Sequence, residues 1–391
     1  MQPADCNSND LPISRYHHPW MCQYKSEEQL TPSERHTFHF SPQFLGGVYG
    51  LTAAALFGVS PPLAKLLLPE ASPLLIAGLL YLGAGLGLLA FEVLFYGKTD
   101  VSRRESSVGP ADRWLLGGMI LTGGILGPVC MLWGLQRLSG VLGTLLLNLE
   151  APFTIGLAVL LFREHLGRRG IAGALLIVSA AAILQYRPQE LRPDAWGFVA
   201  IASACLWWAI DNNLSQRVSL RDPVVVTRIK ALGAGVCTVS MALLSGQSLP
   251  RPTILITTLL LGLVSYGVSL VLDMRALRLL GAAREAGFFS TAPFVGAIAA
   301  VPILGEQWAI NEVCASLIMA TGVILLFRDH HHHHHIHEEI EHDHVHMHGD
   351  HHEHEHEDGL AEEPHTHLHR HVPLMHGHPH VSDLHHCHDH E

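Results

Sequence analysis

Long apolar runs, separated by short polar connectors, begin at Phe44 and recur as far as Phe327. A helix needs about 20 mostly apolar residues to cross roughly 30 Å of hydrocarbon. Ten runs are candidates: 44–67, 73–96, 113–135, 140–162, 169–186, 195–217, 223–245, 253–275, 284–304 and 308–327. Lipid offers no hydrogen bonds, so each backbone amide must be satisfied within its own segment, and the runs predict helices. The alternating stretches of a membrane barrel are absent from the pattern.

The apolar pattern repeats itself. Residues 149–164 read LEAPFTIGLAVLLFRE, and residues 290–306 read STAPFVGAIAAVPILGE. Ala151, Pro152 and Phe153 recur as Ala292, Pro293 and Phe294 at an offset of 141, and Glu164 recurs as Glu306 at 142. Upstream, residues 72–86 align with 222–236 at an offset of 150, and both stretches contain LGAG. Self-similarity of this kind marks an internal duplication. Five helices per copy is an odd number, so the second copy enters the membrane from the opposite face. The expected fold is an all-α membrane protein with ten transmembrane helices in two inverted five-helix repeats. Its layout is an unfolded cytoplasmic arm (1–42), a first repeat (43–187), a second repeat (194–328) and an unfolded His- and acid-rich cytoplasmic tail (329–391).

Residues 145–184, LLLNLEAPFTIGLAVLLFREHLGRRGIAGALLIVSAAAIL, and residues 288–326, FFSTAPFVGAIAAVPILGEQWAINEVCASLIMATGVILL, carry a resemblance. The chain resembles the EamA branch of the drug/metabolite transporter superfamily. The marks are a Pro inside the fourth helix of each copy and a Gly-Glu or Arg-Glu pair opening the fifth. That pair is Arg163 and Glu164 in the first copy, and Gly305 and Glu306 in the second. The resemblance implies a secondary transporter of small organic metabolites in the inner membrane, working as an exporter by alternating access. It implies no enzyme activity and no required cofactor, and it names neither the solute nor an oligomeric state.

Composition sharpens this in three places. The chain is 48% hydrophobic and 15% charged, with a mean hydropathy of +0.25, too apolar for a soluble protein of 391 residues. Its net charge of −11 divides unevenly: residues 329–391 hold 15 acids and one base, Arg370, leaving the membrane body slightly basic. Bases are not clustered, which argues against a nucleic-acid partner. Lys and Arg fall thirteen to five on the connectors that share a side with both termini, so both termini are expected in the cytoplasm. Seven Cys without a CxxC give no disulfide framework, and no nucleotide-binding loop appears.

Binding sites of such repeats lie where helices are interrupted at corresponding positions. Pro61 and Pro62 interrupt the first helix and face Asp211 and Asn212 of the sixth at the offset of 150, with Trp207 and Trp208 just before them. Glu150, beside Asn148, stands midway along the fourth helix. A carboxylate at that depth is costly unless paired or facing water, and there it can exchange a proton or bind a cationic group. These eight residues are the candidate substrate site. Asp211, Arg228 and Lys230 either form a cross-helix charge set or leave the two bases snorkelling to the interface. Glu92 and Asp273 read as interfacial, and Glu164 and Glu306 as caps on the helices that follow them. Gly46 with Gly50, Gly83 with Gly87 and Gly123 with Gly127 read as packing seams without chemistry.

The tail holds 26 of the 31 His. They include His330, His331, His332, His333, His334 and His335, then His342, His344, His346 and His348, then His365, His367, His369 and His371, with Cys387 between two more. Imidazole and thiolate suit Zn²⁺, Ni²⁺ and Co²⁺, so divalent ions are expected partners of the tail. Low hydrophobicity and high charge predict that it does not fold alone. Two alternatives follow from it: a divalent-metal exporter with the tail as collector, and a membrane-anchored metal sensor or buffer that transports nothing. The first lacks His in the helices and any Cys pair.

Overall fold

The computed structural model describes residues 42–96, 108–162, 167–185, 194–218, 221–280, 282–328, 331–336, 340–346, 365–371 and 375–380. The arm up to residue 41, together with Arg163, Glu164, His330, His348 and Cys387, lies outside the described residues.

All ten predicted runs are helical. The first repeat holds α1 (Gln43–Leu67), α2 (Pro73–Leu94), α3 (Arg113–Leu135), α4 (Gly140–Leu160) and α5 (Arg168–Gln185). The second holds α6 (Ala195–Gln216), α7 (Pro223–Leu244), α8 (Pro252–Leu277), α9 (Glu285–Leu304) and α10 (Ile310–Leu326). Among the described residues, eight of these are long and apolar enough to cross a membrane. The exceptions are α10, which is shorter, and α6, a 22-residue helix whose apolar run is cut by Asp211, Asn212 and Asn213. Length and composition therefore secure eight crossings.

Local chemistry fixes the helix starts, and the duplication shows in it. Ser72 caps α2 by accepting from the Leu75 amide, and Asp222, at the offset of 150, caps α7 by accepting from Val224 and Val225. Each cap is followed by a proline in the first turn, where the missing N–H costs nothing. Ser139 caps α4 and Asp194 caps α6 in the same way.

The repeats pack through glycine. A Cβ on Gly85 of α2 would strike Leu232 of α7, and one on Gly235 would strike Leu82. Residue numbers rise along α2 as they fall along α7, so the helices are antiparallel, as an inverted repeat requires. The two contacts exchange under the offset of 150, the mark of a two-fold relation. The last helices of the repeats do likewise: Gly173 of α5 and Gly322 of α10 each face the other's carbonyl. Around these seams α1 packs on α8, α3 on α6, and α4 on both α6 and α9. The apolar core, including Leu80, Met131, Leu145, Ile177 and Met319, fills the space between the repeats.

Helices break at matching places. Both α3 and α8 carry a π-helical stretch, Ile120–Leu126 and Leu263–Val268. In α4 a 3-10 turn at Leu147–Leu149 precedes Pro152, and α9 is interrupted at Ser290 and Thr291, ahead of Pro293. In α1 the break is at Val59. Pro61 and Pro62 sit in the first turn of the new segment Ser60–Leu67, so they open a helix.

At the end of the bundle where α1 stops, the repeats are tied together. Glu306 accepts from the amides of Gly140 (2.7 Å) and Val141 (2.9 Å). It therefore caps α4 of the other repeat, and the cap on its own neighbour α10 is Glu312, which accepts from Ala309. Lys65 donates to the carbonyls of Leu135 and Leu138 at the end of α3. Arg251 pairs with Glu70 at 3.0 Å, and Ser72 bonds Gln247.

In the tail, four segments pair as strands: β1 (His331–Ile336) with β4 (Met375–His380), and β2 (Ile340–His346) with β3 (His365–His371), both antiparallel. The physical reason was in the sequence: His-x-His steps have the two-residue period of a strand.

The antiparallel seam yields a prediction. In Gly235→Val the new Cβ has no room against the Leu82 backbone. Overpacking of this kind costs about 1–3 kcal/mol. A melting temperature lowered by several degrees in detergent is expected, whereas an unchanged one would show that the seam can part freely.

Candidate functional site

The breaks surround a cavity of about 320 Å³. It runs from the middle of the bundle, at Pro61 and Asn148, to the end where α6 closes at Ser215 and α9 begins at Glu285. Of the eight residues expected to form the site, Pro61, Asn148, Glu150, Trp208, Asp211 and Asn212 line this cavity. Pro62 and Trp207 are outside its lining. Pro62 is buried behind Pro61, and Trp207 stands on another side of α6 from Trp208.

Two polar pairs stand in the wall. Asn212 donates to Glu150 Oε1 at 2.7 Å, joining α6 to α4. Lys230 of α7 donates to Asp211 Oδ2, and both side chains are buried. Lys230 therefore does not snorkel. It sits two turns into α7, too deep to reach the interface, and Asp211 holds it. Arg228 is not part of that set: it pairs with Glu92 near the end of α2, which leaves Glu92 partly exposed as expected. Asp273 of α8 and Glu285 of α9 also line the cavity, and Asp273 Oδ1 and Glu285 Oε1 are buried without a hydrogen-bond partner. Asp273 was expected at the interface. It lines the cavity instead, five residues beyond the π stretch of α8.

The π stretch of α3 builds the floor. Its wider turn frees a carbonyl from the helical ladder. That of Gly123 accepts from Tyr81 Oη at 2.7 Å and from Trp208 Nε1 at 3.2 Å. A Cβ on Gly123 would overlap the Asp211 carboxylate, and one on Gly127 would lie 2.6 Å from Trp208 Nε1. So this pair is more than a packing seam: the glycines are the seats of two site residues. Opposite them, the carbonyls of Leu146 and Leu147 accept from Cys205 Sγ, and Asn148 donates to Leu145.

Aromatic rings complete the lining. Phe57 packs edge-on to Trp208 (6.0 Å) and to Tyr266 (5.5 Å), and Phe289 lies 5.3 Å from Phe57. Sequence reasoning held Lys230 beside Asp211 as one of two readings, put Asp273 at the interface, and missed Glu285, Phe57, Tyr266 and Phe289. For Glu285 one signal was available, an ionisable side chain inside an apolar run.

Gly123→Ala tests the floor. The methyl group must displace the Asp211 carboxylate and so disturb its bond to Lys230. A loss of about 1–3 kcal/mol is expected, read as a lower yield of folded protein and a lower melting temperature. Wild-type stability would show that Asp211 does not need that seat.

Comparison with known proteins bears on the same geometry. The sequence model of the EamA-like transporter family matches residues 44–186 and again 195–328, which are the two repeats. A relative described as an uncharacterized transporter, from Methanothermobacter thermautotrophicus, is 27% identical over 289 residues, covering 71% of this chain and 84% of its own. A solved crystal structure superimposes with a TM-score of 0.55 at 17% identity, covering 72% of this chain and 97% of its own, a likeness of fold alone. Two matched repeats around one shared cavity place the chain, a multi-pass membrane protein, in the EamA-like transporter family.

Proposed function

We propose that the protein is a secondary transporter that exports a small organic solute across the inner membrane by alternating access of the cavity between its two repeats. One observation carries the reading: a polar, aromatic-lined cavity between the repeats reaches one end of the bundle, and ties between the repeats hold the opposite end together. Breaking those ties and forming counterparts at the other end would expose the cavity to the other side. Matching helix breaks in the two repeats are the joints such a change needs. The function is transport and not catalysis.

The full topology belongs to the same reading. Ten crossings, with α6 and α10 included and both termini cytoplasmic, put the cavity mouth on the cytoplasmic side. Asp211 and its neighbours then explain the low hydropathy of α6, because they face the cavity and not lipid. Reporter fusions after Arg104 and after Arg328 should both report cytoplasm. Opposite locations for the two would overturn the ten-helix arrangement.

The tail is read as a divalent-metal binder. In its strands His331, His333 and His335 stand opposite His380, His378 and His376, and His342, His344 and His346 opposite His369, His367 and His365. Imidazole is a good ligand for such ions, and this register repeats His against His along both pairs of strands. The metal-exporter alternative has less support. Among the described residues, no set of three His, Cys, Asp or Glu stands where it could hold a metal ion.

One experiment separates the readings. Proteoliposomes carrying the full chain, the chain ending at Arg328, or Glu150→Gln would be screened for flux of amino acids, amines, organic acids and Ni²⁺, Co²⁺ and Zn²⁺. Organic flux is expected, retained on truncation while Zn²⁺ binding is lost. In Glu150→Gln the amide keeps the size of the side chain but cannot ionise. The substitution should cut flux about ten-fold or abolish its pH dependence, since one lost charged hydrogen bond is worth roughly 1.4 kcal/mol or more. Metal flux that needs the tail would establish the metal exporter. Absence of any flux would leave the sensor.

A further inference from the structure

The two strand pairs of the tail keep one register. His331 stands opposite His380 at one end and His346 opposite His365 at the other, and every pair between them follows the same count. Three residues are skipped on each side where β1 and β4 give way to β2 and β3. Residues 331–346 thus stand against residues 365–380 in a single hairpin register. Of the thirteen opposed positions in the strands, six join His to His. Others match too: Glu341 is opposite Arg370, and Ile336 is opposite Met375. A slip of one residue in either direction would leave no His opposite His between β2 and β3. The register is therefore written into the order of the residues, beyond their composition.

Such a hairpin needs a further tie. Two strands alone are marginal in water at best, and closing a loop over residues 347–364 adds an entropic cost. Protonated imidazoles directly opposite each other repel. Neutral imidazoles are metal ligands. Alternate residues of a strand share a face, so His342, His344 and His346 share one with His369, His367 and His365. Two neighbouring pairs supply four His, the number of ligands that Zn²⁺ takes in a closed site. Among the described residues, no three such ligands already stand where they could hold an ion. Binding has to draw opposed pairs together, so its free energy is also the free energy of closure.

We propose that the tail is a hairpin closed by divalent cations: Zn²⁺, or an ion of like ligand preference, binds between His opposed across this register and fastens residues 331–346 to residues 365–380. The twelve paired His suffice for three ions with four ligands each. The site is built from residues far apart in sequence and exists only while the strands are paired. It is tethered close to the transport cavity along the chain, because His331 follows the lining residue Leu326 by five positions. This inference rests on the reading of the tail as a metal binder and deepens it, since binding by composition alone would need no register.

The test uses the full-length protein in detergent, stripped of metal and then given Zn²⁺. Arg370, in β3, is the one Lys or Arg of residues 329–391, so trypsin releases residues 371–391 by a single cut. The protease cuts the open form, and the rate follows the population of that form when closure is fast. At a free Zn²⁺ concentration about ten times that of half-saturation, release should slow about ten-fold. In His365→Gln, His367→Gln and His369→Gln together, the opposed His pairs of β2 and β3 are gone, and release should return to the metal-free rate. In His352→Gln, His354→Gln and His356→Gln together, as many His are lost outside the paired segments, and protection should persist. Fast release from the first variant would also show that Zn²⁺ leaves trypsin active. Bound Zn²⁺ would be counted by equilibrium dialysis. Binding with unchanged release from the wild type, or equal protection of the two triple variants, would overturn the hairpin and leave a tail that binds metal by composition. Absence of Zn²⁺ binding would overturn both.

Discussion

Hydrocarbon offers no hydrogen bonds, so every polar group placed at membrane depth must find its partner inside the protein. The structure depends on that constraint. It makes the ten runs helical, and it makes each helix irregularity matter. A π stretch can strand a carbonyl, and a stranded carbonyl must be met. At Gly123 it is met by Tyr81 and Trp208, and the Cys205 thiol adds a contact to the carbonyls of Leu146 and Leu147. The breaks thus recruit the side chains that line the cavity. A regular helix would have offered nothing to bond to.

The same constraint explains the glycines. An ion pair such as Lys230 with Asp211 is tolerable at depth only if it is close and enclosed. Enclosure needs the neighbouring backbone to approach, and only glycine permits that where Asp211 sits on Gly123. Seams that look like generic helix packing therefore differ in purpose. Gly85 and Gly235 bring the two repeats together along α2 and α7, whereas Gly123 and Gly127 make room for functional side chains.

The duplication is faithful in backbone and unfaithful in chemistry. Caps at Ser72 and Asp222, π stretches in α3 and α8, and breaks in α4 and α9 correspond. Side chains at equivalent positions do not: Lys65 corresponds to Ser215 at the offset of 150, and Pro61 to Asp211. As a result the end holding Lys65 and Glu306 is clasped, and the end holding Ser215 opens on the cavity. A symmetric scaffold with asymmetric ends can favour one orientation of its cavity, and the difference is carried by a few polar residues.

The sequence by itself determined the helices, their number of apolar runs, the duplication and hence the family, because these depend on local periodicity and on similarity at a fixed offset. It also pointed to Glu150 and to Asp211 with Asn212, because an acid inside an apolar run is conspicuous wherever it lies. Only the tertiary structure decided which polar groups meet. Asp273 is near a helix end and reads as interfacial, but it lines the cavity together with Glu285. Lys230 read equally well as a snorkelling base until Asp211 was found beside it. Glu306 caps a helix in the other repeat, a contact between residues 166 positions apart. Local sequence sets what a segment can be. The partner of a buried charge is set by which helices the glycine seams bring together, and that is a property of the packed bundle.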